Sequence, residues 1–228
     1  MNLLLHAITH SEPTPAQPAG LRGQRVLRVA EVDLAGWATQ FGERPDALTR
    51  ADLLSHHEVI TLLHEQLDAA LPARFPTWVA DGAALRCVLA DRHAQLAANL
   101  TRVRGRVELS LTALWLADDD DTGDGAAVPD AATPGRRYLL QRRQAFAGSD
   151  RRRQRAGELA DQVEHLVGPD LVERQRQVCP SRTVALAMSL LVPRSRGPEV
   201  KARLGRVEPD VRILVNGPWP PYSFVDVR

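Results

Sequence analysis

His57 and Glu58 stand side by side in this chain, with Thr61 and His64 following, and they are the first residues of a type that could hold a metal ion and activate water. A zinc-hydrolase helix needs its second histidine one turn after the first, so that both imidazoles and the glutamate share a face. Thr61 occupies that position. His64 comes seven residues after His57, about 10 Å along a helix, too far to share one ion. The spacing therefore reads as histidines packed on or beside an apolar stripe, and a metal-dependent hydrolase using His57, Glu58 and His64 is the lesser alternative.

The acidic run Asp118, Asp119, Asp120, Asp121, Thr122, Gly123, Asp124 has the look of a calcium loop, but a closing glutamate is missing: the two usable registers end on Pro129 or Ala131. A solvated acidic loop is the expectation. No glycine-rich phosphate loop, Gly-x-Ser-x-Gly elbow or Cys-x-x-Cys pair occurs. Cys87 and Cys179 are far apart and read as reduced, buried thiols. The sequence thus predicts no catalytic residue, no metal and no cofactor, and a protein that is not an enzyme.

Charge is segregated. Residues 136–155 carry eight arginines against the single acid Asp150, directly after the aspartate run, and Lys201 is the only lysine in the chain. Arg151, Arg152, Arg153 and Arg155 could contact phosphates, which makes nucleic-acid binding through the Arg136–Arg155 face a second function class. Interleaved aromatics for base stacking are missing there, and the formal net charge is only +1. A solvated or protein-docking face is the better reading, with those four arginines as candidate partner contacts.

The elements that must position these residues fall into two halves. Residues 1–9 and 26–32 read as strands. Thr49 opens a helix with Leu53, Ile60, Leu63, Leu67 and Leu71 on one stripe, stopped by Pro72. Residues 74–79 read as extended. Asp81 caps a second helix that carries Leu85, Leu89, Leu96, Leu100 and Val103. Val107, Leu109, Leu111, Ala113 and Trp115 alternate with Glu108, Ser110 and Thr112 as in a half-buried strand. Residues 118–134 are acidic, then rich in Gly, Ala and Pro, and read as a flexible linker dispensable for folding. Beyond it come a long helix over 136–167, loosened near Gly148 and Ser149 and burying Leu159, Val163 and Leu166, strands over 172–178 and 182–192, a helix over 198–207, and a last strand over 211–215. The expected fold is α+β: an N-terminal α+β domain over 1–117, the linker over 118–134, and a ferredoxin-like domain over 135–228, with antiparallel or mixed sheets.

The most unusual stretch is Gly217, Pro218, Trp219, Pro220, Pro221, Tyr222, Ser223, Phe224. Each proline fixes its own φ and extends the residue before it, so the segment is stiff before it docks. The chain holds only 4 Trp, 2 Tyr and 4 Phe, and three of these aromatics are spent here. They are expected to fold back and hold the two halves together, with Trp219 buried between rigid prolines.

This string closely resembles the terminal signature of the gas vesicle protein GvpL/GvpF family. Leu71, Pro72, Ala73, Arg74 and Phe75 are similar to that family's central Leu-Pro-x-Arg-Phe strand, and Leu191, Val192 and Pro193 to its first C-terminal-half strand. The chain departs from the pattern at Pro76, where a glycine is usual, and after Glu108, where a Gly-Val-Lys continuation is missing. The resemblance implies an accessory role in gas vesicle assembly: binding the small, very hydrophobic shell protein and other accessory proteins, with no nucleic-acid or membrane partner.

The chain has 228 residues, 44% of them hydrophobic, ample for a globular core. No apolar run approaches the length of a membrane span, and Met1 to His6 lack a basic leader, so a cytoplasmic, vesicle-associated location is expected.

Overall fold

The chain is described by a computed structural model over residues 1–116, 134–178, 181, 183–205, 211–225 and 227, with side chains described outside 134–148. The linker expected over 118–134 and Cys179 lie outside the described residues, save the backbone of Pro134. The chain forms two compact units, Met1–Glu108 with Pro218–Arg228, and Leu109–Gly217. The division thus falls inside a strand, earlier than the boundary at 117, and the terminal segment belongs to the first unit.

The first unit is built on β1 (Asn2–His10), β2 (Val26–Glu31), β3 (Leu34–Phe41) and β4 (Leu71–Val79), in the order β2-β3-β1-β4, with every pair antiparallel. The run Leu34–Phe41, which no sequence pattern assigned to an element, is β3. Three helices cover the sheet: α1 (Arg50–Gln66), α2 (Gly82–Asp91) and α3 (His93–Val103). Leu3, Leu5 and Ile8 of β1 join Leu85, Leu89, Leu96, Leu100 and Val103 in one core. Ala7, Val26 and Trp37 join Val59, Ile60 and Leu63 of α1 in a second. Because β1 is central and covered on both sides, residues 3 to 9 are buried without interruption, the pattern of a strand buried on both faces.

One irregularity organises this sheet. The register of β1 slips at His6 against both neighbours: Leu5 pairs with Ala38 and Ala7 with Trp37, while on the other side Leu5 pairs with Thr77 and Ala7 with Pro72. His6 is thus the bulged residue, and it faces a four-residue excursion, residues 73–76 of β4. A bulge exchanges the faces of the residues beyond it. Leu3 and Leu5 therefore share a core with Ile8 although their parity differs.

Thr49 caps α1 through a full capping box with Asp52, and Asp52, 3% exposed, also accepts two bonds of 2.8 Å from Arg22. These bonds, with Arg22 first, hold the Asp52 carboxyl well below the usual carboxylate range. The helix ends at Gln66, short of the Pro72 stop inferred from sequence, and Leu71 and Pro72 already belong to β4. Leu53 is 46% exposed rather than part of the stripe. Asp81 does cap α2, accepting from Ala84 N–H at 2.8 Å, but Arg92 separates α2 from α3 where one helix was expected. Cys87 is exposed, because Leu85 and Leu89 take the buried face of α2, so the expectation of a buried thiol there fails.

The second unit contains most of β5 (Arg106–Trp115), then α4 (Pro134–Val167), β6 (Glu173–Val178), β7 (Val184–Pro193), α5 (Gly197–Leu204) and most of β8 (Val211–Trp219). The strand order is β6-β7-β5-β8, with β6 antiparallel to β7. This βαββαβ succession is compatible with the ferredoxin-like arrangement, and its first strand is β5, from before the inferred linker. The helix α4 runs through Gly148 and Ser149 without a break. It buries Ala156, Leu159, Ala160, Val163 and Val167, whereas Leu166 is 37% exposed. The chain is accordingly an α+β protein of two four-stranded sheets. Among the described residues no helix is long and apolar enough to cross a membrane.

Gly36 of β3 lies beneath α2, where a Cβ would approach the side-chain carbons of Leu85 to 2.9–3.2 Å. Leu85 is fully buried and cannot swing away. Gly36→Ala is expected to destabilise the protein by about 1–3 kcal/mol, read as a lower chemical denaturation midpoint with an unchanged slope.

Candidate functional site

The signature string straddles the end of β8. Gly217 has φ of 114°, a backbone that only glycine adopts freely. Pro220 and Pro221 are buried, and Tyr222 to Phe224 form a single turn of 3-10 helix. Tyr222 N–H donates to Pro220 O at 2.8 Å and Phe224 N–H to Pro221 O at 3.2 Å. The prolines have fixed the local backbone, so little is left to order when the turn docks.

Docking uses both polar and apolar contacts. The Ser223 N–H and hydroxyl donate to the two oxygens of Glu108 at 2.8 and 2.6 Å, and Glu108 is only 5% exposed. The Arg102 guanidinium donates to Phe224 O. Phe224 and Val227 are each 2% exposed. Val227 enters the α2/α3 core with Val225 packed beside it, and it bridges Ala73 of β4 in parallel. All these contacts lie within the first unit.

The aromatic assignment from sequence is corrected here. Trp219 is 38% exposed and Tyr222 36%, so Phe224, and not Trp219, is the buried anchor. Both exposed rings rest on His57 of α1. The Trp219 ring meets it edge-on at 5.4 Å, and the Tyr222 hydroxyl lies 2.7 Å from His57 Nδ1. Burial of its hydroxyl end, and then the nearby Glu108 carboxylate, push the Tyr222 phenol above its ordinary range.

The second sequence string meets the first. Leu71 and Pro72 pair with Ile8 and Ala7 of β1, Ala73 is buried under Val227, and Arg74 is exposed. Phe75 packs with Leu4, Leu21 and Phe41 and lies 5.0 Å from the His56 ring. The excursion of β4 opposite His6 is therefore made of this motif.

At its centre is a buried histidine pair that sequence reasoning missed. His6 Nδ1 lies 2.8 Å from His56 Nδ1, His6 Nε2 lies 2.7 Å from Thr39 Oγ1, and His56 Nε2 lies 3.1 Å from Ala73 O. A carbonyl only accepts, so His56 carries its proton on Nε2 and accepts on Nδ1. His6 must then donate from Nδ1 and accept from the Thr39 hydroxyl, whose oxygen takes the Leu21 N–H at 3.2 Å. With both rings neutral, every member is satisfied and the bonds point one way, from Leu21 to Ala73. Burial, followed by the charge of His56, drives the His6 imidazole well below its ordinary value. Burial likewise lowers His56 to about 4, against the raising effect of its bond to Ala73.

The remaining sequence candidates sit elsewhere. His64 is 5% exposed, and Thr61 Oγ1 stands 3.4 Å from His57 Nε2. Among the described residues no group of three or more His, Cys, Asp or Glu could hold a metal ion. In the second unit, Arg151 and Arg153 are exposed on α4, Arg152 is half-buried, and the Arg155 guanidinium lies 5.2 Å above the Trp115 ring. Signals for the missed residues did exist. His6, for one, interrupts the apolar run from Leu3 to Ile8.

Comparison with known proteins is consistent along the whole chain. The sequence model of the gas vesicle synthesis protein GvpL/GvpF family matches residues 2–226. Gas vesicle protein L2 of Halobacterium salinarum is 28% identical over 194 residues, 75% of this chain and 70% of its own length. Gas vesicle protein L of a Streptomyces species is 27% identical over 236 aligned residues, 94% of this chain and 88% of its own. The crystal structure of GvpF from an Anabaena species superposes with a TM-score of 0.80 at 17% identity, over 100% of this chain and 99% of that one. GvpF from Microcystis aeruginosa gives 0.75 at 17% identity over 98% of each. At such identity the two structures speak for the fold.

The terminal anchors should separate by mutation. Phe224→Ala leaves a cavity in a closed core and is expected to cost roughly 3–5 kcal/mol, whereas Trp219→Ala, at an exposed ring touching only one side, should cost clearly less. Denaturation midpoints of the two variants measure this, and equal losses would contradict it.

Proposed function

Because this chain belongs to the gas vesicle synthesis protein GvpL/GvpF family, we propose that it is a non-enzymatic accessory protein of gas vesicle assembly that binds the hydrophobic shell protein and other accessory proteins. The family match over residues 2–226 carries this reading. The relatives named as L proteins are 27–28% identical to it, which favours an L-type member. A strongly apolar partner gains most from removing apolar area from water, while charges at the rim set orientation. The chain offers apolar residues on its surface, among them Leu53 at 46%, Leu54 at 50% and Trp219 at 38% exposure, together with the α4 arginines.

The residue chemistry supports a binding role over the alternatives. His57 is engaged by Tyr222 and Thr61, which weakens the hydrolase reading. Arg155 lies on Trp115, and beside α4 Arg174 pairs with Glu164 and Arg176 with Asp161. This interspersed charge is poorly suited to a nucleic-acid backbone.

Arg151 and Arg153 are exposed, as is Arg155, and replacing only these two tests the basic face without disturbing the Arg155–Trp115 contact. The double replacement Arg151→Glu with Arg153→Glu should reduce capture of the shell protein in a pull-down while circular dichroism stays unchanged, since exposed charges contribute little to folding. Undiminished capture would remove this face from the interface. No capture by the wild-type chain would defeat the direct-partner reading.

A further inference from the structure

The helix α1 carries leucines on both of its sides, and we infer that its outer side, with the exposed rings of the terminal signature, is the docking surface for an amphipathic helix bearing arginine or lysine beside an apolar stripe. This assignment rests on the binding role proposed above and states the chemistry of one partner element.

The inner side of α1 is occupied by Val59, Ile60 and Leu63, which fill the core. A surface helix with one such stripe is ordinarily polar elsewhere. Here Leu53 is 46% exposed and Leu54 50%, and helical spacing stacks Leu53 one turn before His57 and Leu54 one turn before Glu58. His57 in turn carries Trp219 and Tyr222, with ring centres 5.4 and 5.8 Å away. Among the described residues, the large apolar side chains exposed on the first unit are Met1, Val32, Leu53, Leu54, Trp219 and Tyr222. Four of the six thus gather around one imidazole. Clustering of this kind marks an interaction surface, where single exposed apolar residues do not.

The rings are held before any partner arrives. Pro218, Pro220 and Pro221 stiffen the backbone, Ser223 is bonded to Glu108, and the Tyr222 hydroxyl lies 2.7 Å from His57 Nδ1. Half-exposed Trp and Tyr fixed in this way lose little freedom on binding, and such residues dominate interface energies.

Charge selects the partner. Glu58 and Glu65 are exposed, and they continue the outward line of Leu54 one turn and three turns further on. Histidines aside, Arg50 is the only base of α1, and it stands at the first position. Two neighbouring arginines are committed elsewhere: Arg22 grips Asp52, and Arg102 donates to Phe224 O. The surface is therefore apolar with an acidic flank, opposite in sign to the arginines of α4. An arginine or lysine answers both features, because it pairs with a carboxylate and stacks on an exposed tryptophan. The backbone groups of α1 are bonded within the helix, so this surface offers side chains at helical spacing and no strand edge to extend. A second helix matches that spacing.

The test is a labelled synthetic peptide, with leucine at i, i+3, i+4 and i+7 and arginine beside them, titrated against the full-length chain by fluorescence polarisation. The arginine peptide should bind, and the same peptide with glutamate for arginine should not. Trp219→Ala should weaken binding about thirtyfold, as for a central interface tryptophan. Glu58→Lys with Glu65→Lys should weaken it about tenfold at low salt and much less at high salt. Neutralising Asp118 to Asp121 to asparagine should change nothing, which separates this face from the acidic run. Should Trp219→Ala not fold, Leu54→Gln, at an exposed helical position, is the variant expected to weaken binding. Equal binding of both peptides, wild-type affinity in the Trp219 or Leu54 variant and in the double glutamate variant, loss on neutralising the aspartates, or self-association of the chain through Leu53 and Leu54 would each overturn the assignment. Capture of the shell protein without binding of the arginine peptide overturns this surface and leaves the assembly role standing. The reverse pair of results supports the surface and defeats the direct-partner reading.

Discussion

The structure of the first unit depends on how one polar residue, His6, is accommodated in a strand buried on both faces. A polar group there is tolerable only if fully bonded, and the chain meets that demand with a bulge that turns the ring toward Thr39 and His56. Several features follow. The bulge fixes which residues of β1 face α1 and which face α2 and α3. The excursion of β4 supplies the Ala73 carbonyl that ends the bond chain. Ala73 is then placed for the bridge to Val227. A core packed only with aliphatic residues would not couple α1, β4 and the terminal segment in this way, because dispersion contacts do not specify direction while a chain of hydrogen bonds does.

Most of the elements were legible in the sequence, and the failures have physical causes. Strict alternation identified β5, and capping chemistry identified the starts of α1 and α2. Alternation gave no help for β3, because Leu34, Ala35, Trp37 and Ala38 are all buried and its period-two signal vanishes. The break at Arg92 between α2 and α3 is invisible to periodicity, since Leu89 and Leu96 stay on one face across it. The domain boundary was drawn at the change of composition after residue 117, but a βαββαβ unit takes its first strand from before its helix. The change of composition lies outside the described residues, whereas the strand order assigns β5 to the second sheet.

The terminal segment was legible as a docked motif but not in its detail. Proline spacing and aromatic content predicted a stiff segment holding the two halves together; the contacts the structure shows for it lie within the first unit. Which aromatic is buried depends on what the segment lands on. The turn closed by Pro220 and Pro221 buries Phe224, lets Val227 enter the α2/α3 core and leaves Trp219 and Tyr222 on one imidazole. Likewise Glu108 takes a polar place in the alternation of β5, yet it is buried and receives Ser223 from more than a hundred residues away. Such pairings are long-range, so no local period announces them.

Several residues of types that could do chemistry, among them the candidate His57, are instead engaged in holding elements together. His57 receives the terminal turn, Glu108 binds its backbone and hydroxyl, Asp52 caps α1 while gripping Arg22, and His6 with His56 spans strand and helix. A catalytic group needs a polar partner that changes during reaction and an approach for substrate. Here the partners are backbone groups and side chains of the same unit, already satisfied. Trp219 and Tyr222 stay half-exposed beside these contacts, both resting on His57. The terminal signature completes this set of contacts on the first unit, through Ser223 on Glu108 and Val227 in the core.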